Sequence, residues 1–335
     1  MIQDDLEQLK QRMPLLDYLE RHNWAGRPAG SQQEFVGLCP LHRESRPSFY
    51  VNIHKNLFYC HGCGCGGDLI RFAELYFRLS FPKAVTHLKR ELESPTEWEV
   101  FNQAETFYRS QLQGNRVALD YLQQRGVRDT ELIRQLGMGY APGGNLRRHL
   151  NTLGYSSGLL LETGLINPQG LDFFWQRVVF SCRHAGQVIN FYGRGIHPAL
   201  PQHRFLPRPK GDLLGWELVR DFSELILVEG PFDVAVLWQA GFRNSTCAFG
   251  THLTPAQIMQ LSDCRERQVL LAFDSDANSA GLQAAHRLAR RLQCTGLRAR
   301  IVQLPPGHDP NSYFTAGATG NDFAQLLQQA NSPWL

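Results

Sequence analysis

The chain has 335 residues, a formal net charge of +3, 43% hydrophobic residues and 19% charged residues; this balance excludes a disordered chain and predicts two or three folded domains. So small a net charge makes no general case for a nucleic-acid partner, and any basic surface must be local. The opening MIQDDLEQLK is acidic and polar, unlike a secretory leader, and the longest apolar candidate, LILVEGPFDVAVLW, is broken by Glu229 and Asp233, so no membrane span is expected and a cytoplasmic location is the default.

Residues 1–22 read as helical, with Leu6, Leu9, Met13, Leu16 and Leu19 on one face and Pro14 kinking the helix or starting a second. Residues 31–67 carry the strand-like runs FVGLC, SFYVNI and LFYC among glycines, cysteines and histidines. A helix is expected over 68–92, and Ser94-Pro95-Thr96 marks a domain boundary. Two or three helices fill 97–136. From Gly137 to about Leu214 short strands and Gly/Pro turns are expected, with VVFSCRHAGQVINFYGRGI forming two strands about Ala185-Gly186. From Leu225 the pattern is β–α repeated: LILVEG, then a helix with Pro231 near its first position; TCAFG, then a helix capped by Thr254; VLLAFDSD, then GLQAAHRLARRLQ; and finally RARIVQL. This alternation predicts a parallel sheet covered by helices.

Eight cysteines in a cytosolic chain are expected to be free or metal-bound. Four of them, Cys39, Cys60, Cys63 and Cys65, crowd into one stretch. Cys39-x-x-His42, a gap of 17 residues, and Cys60-x-x-Cys63 give two knuckles with the four ligands that zinc takes in a tetrahedron. Four protein ligands leave no open position, so the site is structural in type. Cys65 is a rival to Cys63, which is favoured because it keeps the two-residue spacer; His54 and His61 are expected at the surface. Arg43, Arg46, His54 and Lys55 are interleaved with Phe49, Tyr50, Phe58 and Tyr59. Cations bind phosphates and aromatic rings stack on bases, so this face suits single-stranded nucleic acid. At least half of these rings are expected in a small core.

Functional groups in open parallel sheets gather beyond the carboxyl ends of the strands. Glu229 follows LILV, Asp233 lies one turn into the next helix, Asp274 and Asp276 follow VLLAF, and Asp309 follows RARIVQL through PPGH. A single acid in such a place is most often a helix cap or a solvated turn. Together these carboxylates repel one another unless cations sit between them, and magnesium, which takes oxygen ligands and keeps substrate phosphates as further ones, suits them. Two such ions serve phosphoryl transfer.

The stretch CPLHRESRPSFYVNIHKNLFYCHGCGCGGDLIRFAELY resembles the CHC2-type zinc-binding domain of bacterial DnaG-type DNA primases. LILVEGPFDVAVLWQAGF and VLLAFDSDANSAGLQAAHRLA resemble their Toprim module. LGMGYAPGG and FFWQRVVFSCRHAGQVINFYGRG resemble the amino-terminal half of the polymerase core, and LPPGHDPNSYF the closing acidic motif. The resemblance implies an α/β (α+β overall) chain with a zinc ribbon over 1–95, a mixed primase-core subdomain over 96–220, and a Toprim parallel-sheet subdomain with a short carboxyl-terminal helix over 221–335. It implies a nucleotidyltransferase making RNA primers from nucleoside triphosphates on a single-stranded DNA template, with magnesium or manganese. On this likeness Glu229 is a metal ligand or proton acceptor, Asp274 and Asp276 hold the metals, and Asp233 and Asp309 are accessory acids. Arg177 and Arg194 line the template and nucleotide groove, and Arg204 and Lys210 lie near the active centre. Asn311 stands where the family often has a second aspartate, which puts a full second metal site in question. The loop after the aspartate pair, Ala277-Asn278-Ser279, is slightly longer than the commonest form. The chain stops near the end of the Toprim unit, so the likeness is to a compact form without a helicase-binding domain, any helicase acting in trans. Two other readings fit part of the pattern: a Toprim-type metal-dependent nuclease, and a non-catalytic adaptor binding single-stranded nucleic acid in a replication or defence assembly.

Overall fold

A computed structural model describes residues 2–93, 96–264, 266–275 and 280–331. The chain divides into two compact units, Met1–Pro95 and Thr96–Leu335.

In the first unit Pro14 separates α1 (Ile2–Arg12) from α2 (Leu15–Arg21), as a residue without an N–H must. Five strands follow: β1 (Arg27–Ala29), β2 (Ser31–Gly37), β3 (Phe49–Asn52), β4 (Leu57–Cys60) and β5 (Gly66–Gly67). They form an antiparallel sheet in sequence order. Helices α3 (Leu69–Phe77), capped by Asp68, and α4 (Phe81–Glu93) complete the unit. Side chains alternate across a strand. Phe49 and Phe58 therefore point inward, stacked at 5.1 Å and both packed against Phe72, whereas their neighbours Tyr50 and Tyr59 point outward. Two rings of four are core, as the sequence suggested.

The second unit opens with α5 (Glu97–Gln113), α6 (Arg116–Gln124) and α7 (Thr130–Gln135). Next come β6 (Met138–Ala141), α8 (Leu146–Thr152), α9 (Ser157–Glu162), β7 (Arg177–His184), β8 (Gln187–Gly195), β9 (His203–Phe205) and α10 (Trp216–Val219). The alternating part is β10 (Glu224–Val228), α11 (Pro231–Gln239), β11 (Ser245–Cys247), α12 (Pro255–Leu261), β12 (Gln268–Leu271), α13 (Ala280–Cys294) and β13 (Arg298–Ile301), followed by α14 (Pro310–Thr315) and α15 (Gly320–Gln328). Thr254 caps α12 in a reciprocal capping box with Gln257. Helices α8 and α9 correct the expectation of only strands and turns between 137 and 214. With seven and six residues they are too short to show a helical period.

The strand order is β6-β7-β8-β9 in an antiparallel sheet and β11-β10-β12-β13 in a parallel one. The two sheets share one hydrophobic core: Met138, Tyr140, Val178, Phe180 and Tyr192 from the first pack with the strands and helices of the second. The opposite face of the antiparallel sheet, with Ala141, Val179 and Phe191, packs with Phe101 and Tyr108 of α5. The division near residue 220 read from the sequence thus separates two sheets built around a common core.

Candidate functional site

The ligand atoms of Cys39, His42, Cys60 and Cys63 lie within 4.8 Å of one another. Sulfur and imidazole donors at this separation suit zinc. Close packing holds the knuckle: a Cβ at Gly62 would fall 2.8 Å from both His42 Nε2 and Ser48 Oγ. Cys65 is not among these four, and its Sγ lies 3.9 Å from the Cys63 carbonyl oxygen. Glu44 was not singled out in the sequence, yet it organises this centre. Its Oε1 accepts from the Cys39 and Ser48 backbone N–H groups at 2.7 and 3.2 Å, and its Oε2 accepts from Ser48 Oγ and lies 3.3 Å from His42 Nε2. These hydrogen bonds, the one from Ser48 Oγ foremost, hold its carboxyl below the usual range. Carboxylates behind ligating histidines fix the ring and raise its basicity.

On the outer face of the same sheet Tyr50 and Tyr59 are direct cross-strand partners, and Tyr59 is 48% exposed. The His61 ring meets both edge-on, at 5.3 and 5.0 Å. Lys55 lines the same shallow surface. Arg43, Arg46 and Lys55 are exposed and make no ion pair among the described residues.

In the second unit a cavity of about 470 Å³ opens at the carboxyl ends of the parallel strands. Glu229, Asp233, Asp274 and Asp309 line it together with Arg125, Tyr192, Arg194 and His203. Glu229 follows β10, and its Oε1 accepts from the Asp274 backbone N–H at 3.2 Å, joining the ends of β10 and β12. Asp233 is buried near the start of α11. Its Oδ2 accepts from Gly230 N and its Oδ1 from Asn311 N, each at 3.0 Å. Burial, and then the nearby charge of Asp309, push the Asp233 carboxyl up to about 7. Asp309 combines two roles, lining the cavity and capping α14 through the Ser312 N–H. Asp276 lies outside the described residues.

Four carboxylates lining one cavity offer the hard oxygen donors that a divalent cation takes. The space beside them suits one too: a Cβ at Gly281 would fall 3.0 Å from Glu229 Oε1 and 2.2 Å from the Asp274 carbonyl oxygen, so only glycine lets helix α13 come this near. Asn311 does not stand in for a cavity carboxylate. Its amide is 2% exposed and donates to the Arg125 carbonyl oxygen at 2.7 Å.

The basic residues separate by strand face. Arg194 pairs across the hairpin with Val178, and Arg177 pairs with Gly195, so the two arginines point to opposite sides of the sheet. Arg194 faces the cavity. The expectation that Arg177 lines the same groove fails: it is 1% exposed, packed on the α5 side, with Nη1 donating to the Pro201 carbonyl oxygen at 2.6 Å. Burial holds its guanidinium below the usual arginine range. Arg204 also lies on the far face of β9, its guanidinium 3.9 Å above the Phe173 ring. Lys210 stands beside the cavity, its Nζ donating to the carbonyl oxygen of the lining residue Phe249 at 2.9 Å. Arg125, Tyr192 and His203 were missed in the sequence. Arg125 caps the end of α6 and meets the cavity only through tertiary packing, its guanidinium 4.9 Å from the Phe232 ring centre. Among the described residues neither Arg125 nor Arg194 has a carboxylate partner, and the Nε of each is buried without a hydrogen bond.

Three family models match in order: the CHC2 zinc finger over residues 1–103, the N-terminal domain of the DNA primase catalytic core over 107–205, and a Toprim-like module over 226–314. The DNA primase of Pseudomonas putida is 32% identical over 89% of this chain and 51% of its own length. The chain spans about half the length of the curated relatives it matches. The crystal structure of the zinc-binding and RNA polymerase domains of the Aquifex aeolicus primase superposes with a TM-score of 0.63 and 28% identity, covering 98% of this chain and 85% of that one. A DNA primase domain from Pseudomonas aeruginosa gives a TM-score of 0.59 and 31% identity, with 71% of this chain and 80% of that one covered. Among the described residues no helix is long and apolar enough to cross a membrane.

Proposed function

Since the chain belongs to the DnaG-type DNA primase family, we propose that it synthesises short RNA primers on single-stranded DNA by metal-dependent nucleotidyl transfer. The observation that carries this reading is one cavity lined both by Glu229, Asp233, Asp274 and Asp309 and by Arg125 and Arg194, neither of which makes an ion pair among the described residues. Carboxylates alone would serve cations and guanidinium groups alone would serve anions; a metal-bound triphosphate needs both.

Each side chain has a part in that chemistry. Glu229 and Asp274, joined through the Asp274 N–H, would hold the divalent ion with Asp276. Magnesium or manganese, when bound, supplies positive charge against the triphosphate and against the entering and leaving oxygens. Asp233, fixed by two backbone N–H groups, and Asp309 keep the site negative where cations must gather. Arg194 and Arg125 take phosphate oxygens in the same cavity, and Lys210 adds charge beside it. Held this way, the 3′-hydroxyl of one nucleotide meets the α-phosphate of the next in line, and pyrophosphate leaves.

Cys39, His42, Cys60 and Cys63 would hold one structural zinc, braced by Glu44. The outward Tyr50, Tyr59 and His61 rings offer stacking platforms for single-stranded bases, with Arg43, Arg46 and Lys55 for the phosphates. Arg204 is an accessory cation for the template outside the cavity, and a helicase acting in trans is a candidate partner. Primer synthesis from labelled nucleoside triphosphates on single-stranded DNA tests the reading. It predicts product from wild type and its loss in Asp274→Ala. Nicking of DNA without nucleotides, and no primers, would indicate a nuclease instead.

A further inference from the structure

Strands β8 and β9 bring three polar side chains to one face. Arg194 is the direct cross-strand partner of His203, and Tyr192 lies two residues along β8 on the same side. Arg194 Nη1 is 3.0 Å from His203 Nε2, and Tyr192 Oη is 2.7 Å from His203 Nδ1. A guanidinium carries donors only, so Nε2 must accept. A neutral imidazole then has its proton on Nδ1, which donates to Tyr192 Oη. Burial pushes the Tyr192 phenol up to about 12, so it stays neutral. The hydrogen bonds run in one direction, from Arg194 to His203 to Tyr192.

This choice of partner has an electrostatic consequence. A carboxylate holding Arg194 would orient the guanidinium and also cancel its charge. An uncharged imidazole orients it and leaves the charge available.

We infer that His203, braced by Tyr192, is a positioning residue that aims Arg194 into the carboxylate-lined cavity as an uncompensated positive charge for a polyphosphate. The inference rests on the proposed function, which supplies the nucleoside triphosphate. The charged groups around His203 are Arg194, Arg125 and Arg177, and together with burial they hold its pKa below the usual histidine value; Tyr192 is the neutral titratable neighbour. A proton on Nε2 would place donor against donor and release Arg194.

The test is binding of a fluorescent ATP analogue with magnesium to the full chain between about pH 5 and pH 8, together with nitrogen-15 chemical shifts of the His203 ring. His203→Ala is expected to weaken binding about tenfold at neutral pH. His203→Gln, whose side-chain oxygen can still accept, is expected to stay within about threefold of wild type. Tyr192→Phe is expected to cost about twofold. Wild-type affinity should fall more steeply on the acid side than that of His203→Gln, which shares only the titration of Asp233, and the ring should show the Nδ1–H tautomer at neutral pH. Equal binding by wild type and His203→Ala, affinity that rises in acid, or an Nε2–H tautomer would overturn this role alone. A wild type that binds no triphosphate would overturn the proposed function and, with it, this role.

Discussion

The backbone N–H of Asn311 donates to Asp233 Oδ1 at 3.0 Å, while the Asn311 amide turns away and donates to the Arg125 carbonyl oxygen at 2.7 Å. One residue thus tethers α14 both to a cavity carboxylate and to the end of α6. An aspartate at 311 would set a carboxylate oxygen against that carbonyl with no proton between them. Asn311→Asp is expected to destabilise the fold by about 1–3 kcal/mol, read as a lowered urea midpoint, and to leave manganese affinity unimproved. Unchanged stability with tighter manganese binding would show that position 311 addresses the metals after all.

Asp233 gives a pH dependence with a definite sign. Its folded pKa, about 7, is above the unfolded aspartate value of about 3.9. The folded state therefore holds the proton more tightly, and the associated stability is complete below about pH 4 and lost as pH rises through 7. Without added divalent ion, wild type is expected to lose stability relative to Asp233→Asn between about pH 4 and pH 7, by at most about 4 kcal/mol, and to lose no more above that. Magnesium at pH 8 should restore part of this in wild type and less in the variant. A wild-type-minus-variant difference that does not move with pH would contradict the assignment.

The zinc centre separates neighbouring side chains. Metal analysis should find one zinc per chain. Cys63→Ser should lose it and Cys65→Ser should keep it. Glu44→Gln should retain zinc but bind it about 10- to 100-fold more weakly in competition with a chelating dye. Zinc retained by Cys63→Ser and lost by Cys65→Ser would reverse the ligand assignment.

Strand alternation in the first unit predicts a division of effects. Tyr59→Ala should cost about 1–3 kcal/mol of affinity for a labelled single-stranded oligonucleotide and leave the melting temperature nearly unchanged. Phe58→Ala should cost about 3–5 kcal/mol of stability. Oligonucleotide affinity unaffected by Tyr59→Ala would remove this face from the template path.

Much of this was legible in the sequence because it is local. The zinc ligands declare themselves by two-residue spacers, and Glu229, Asp233 and Asp274 by following apolar strands in a β–α alternation. What escaped depends on register and packing. Arg177 and Arg194 read alike in sequence, yet the hairpin pairs them with Gly195 and Val178, and that one-residue offset sends them to opposite faces. His203 meets Arg194 only because β9 returns antiparallel beside β8. Glu44 is a single acid among charged neighbours until its three hydrogen bonds and its approach to His42 are seen.

Nucleotidyl transfer is expected at the carboxylates beyond β10 and β12. The most direct measurement is incorporation of labelled nucleoside triphosphate into short products on single-stranded DNA, with manganese, by wild type and Glu229→Gln side by side. The account predicts products from wild type and a rate lowered at least about 100-fold in Glu229→Gln, a loss of about 2.7 kcal/mol of transition-state stabilisation. Undiminished synthesis by Glu229→Gln would contradict it.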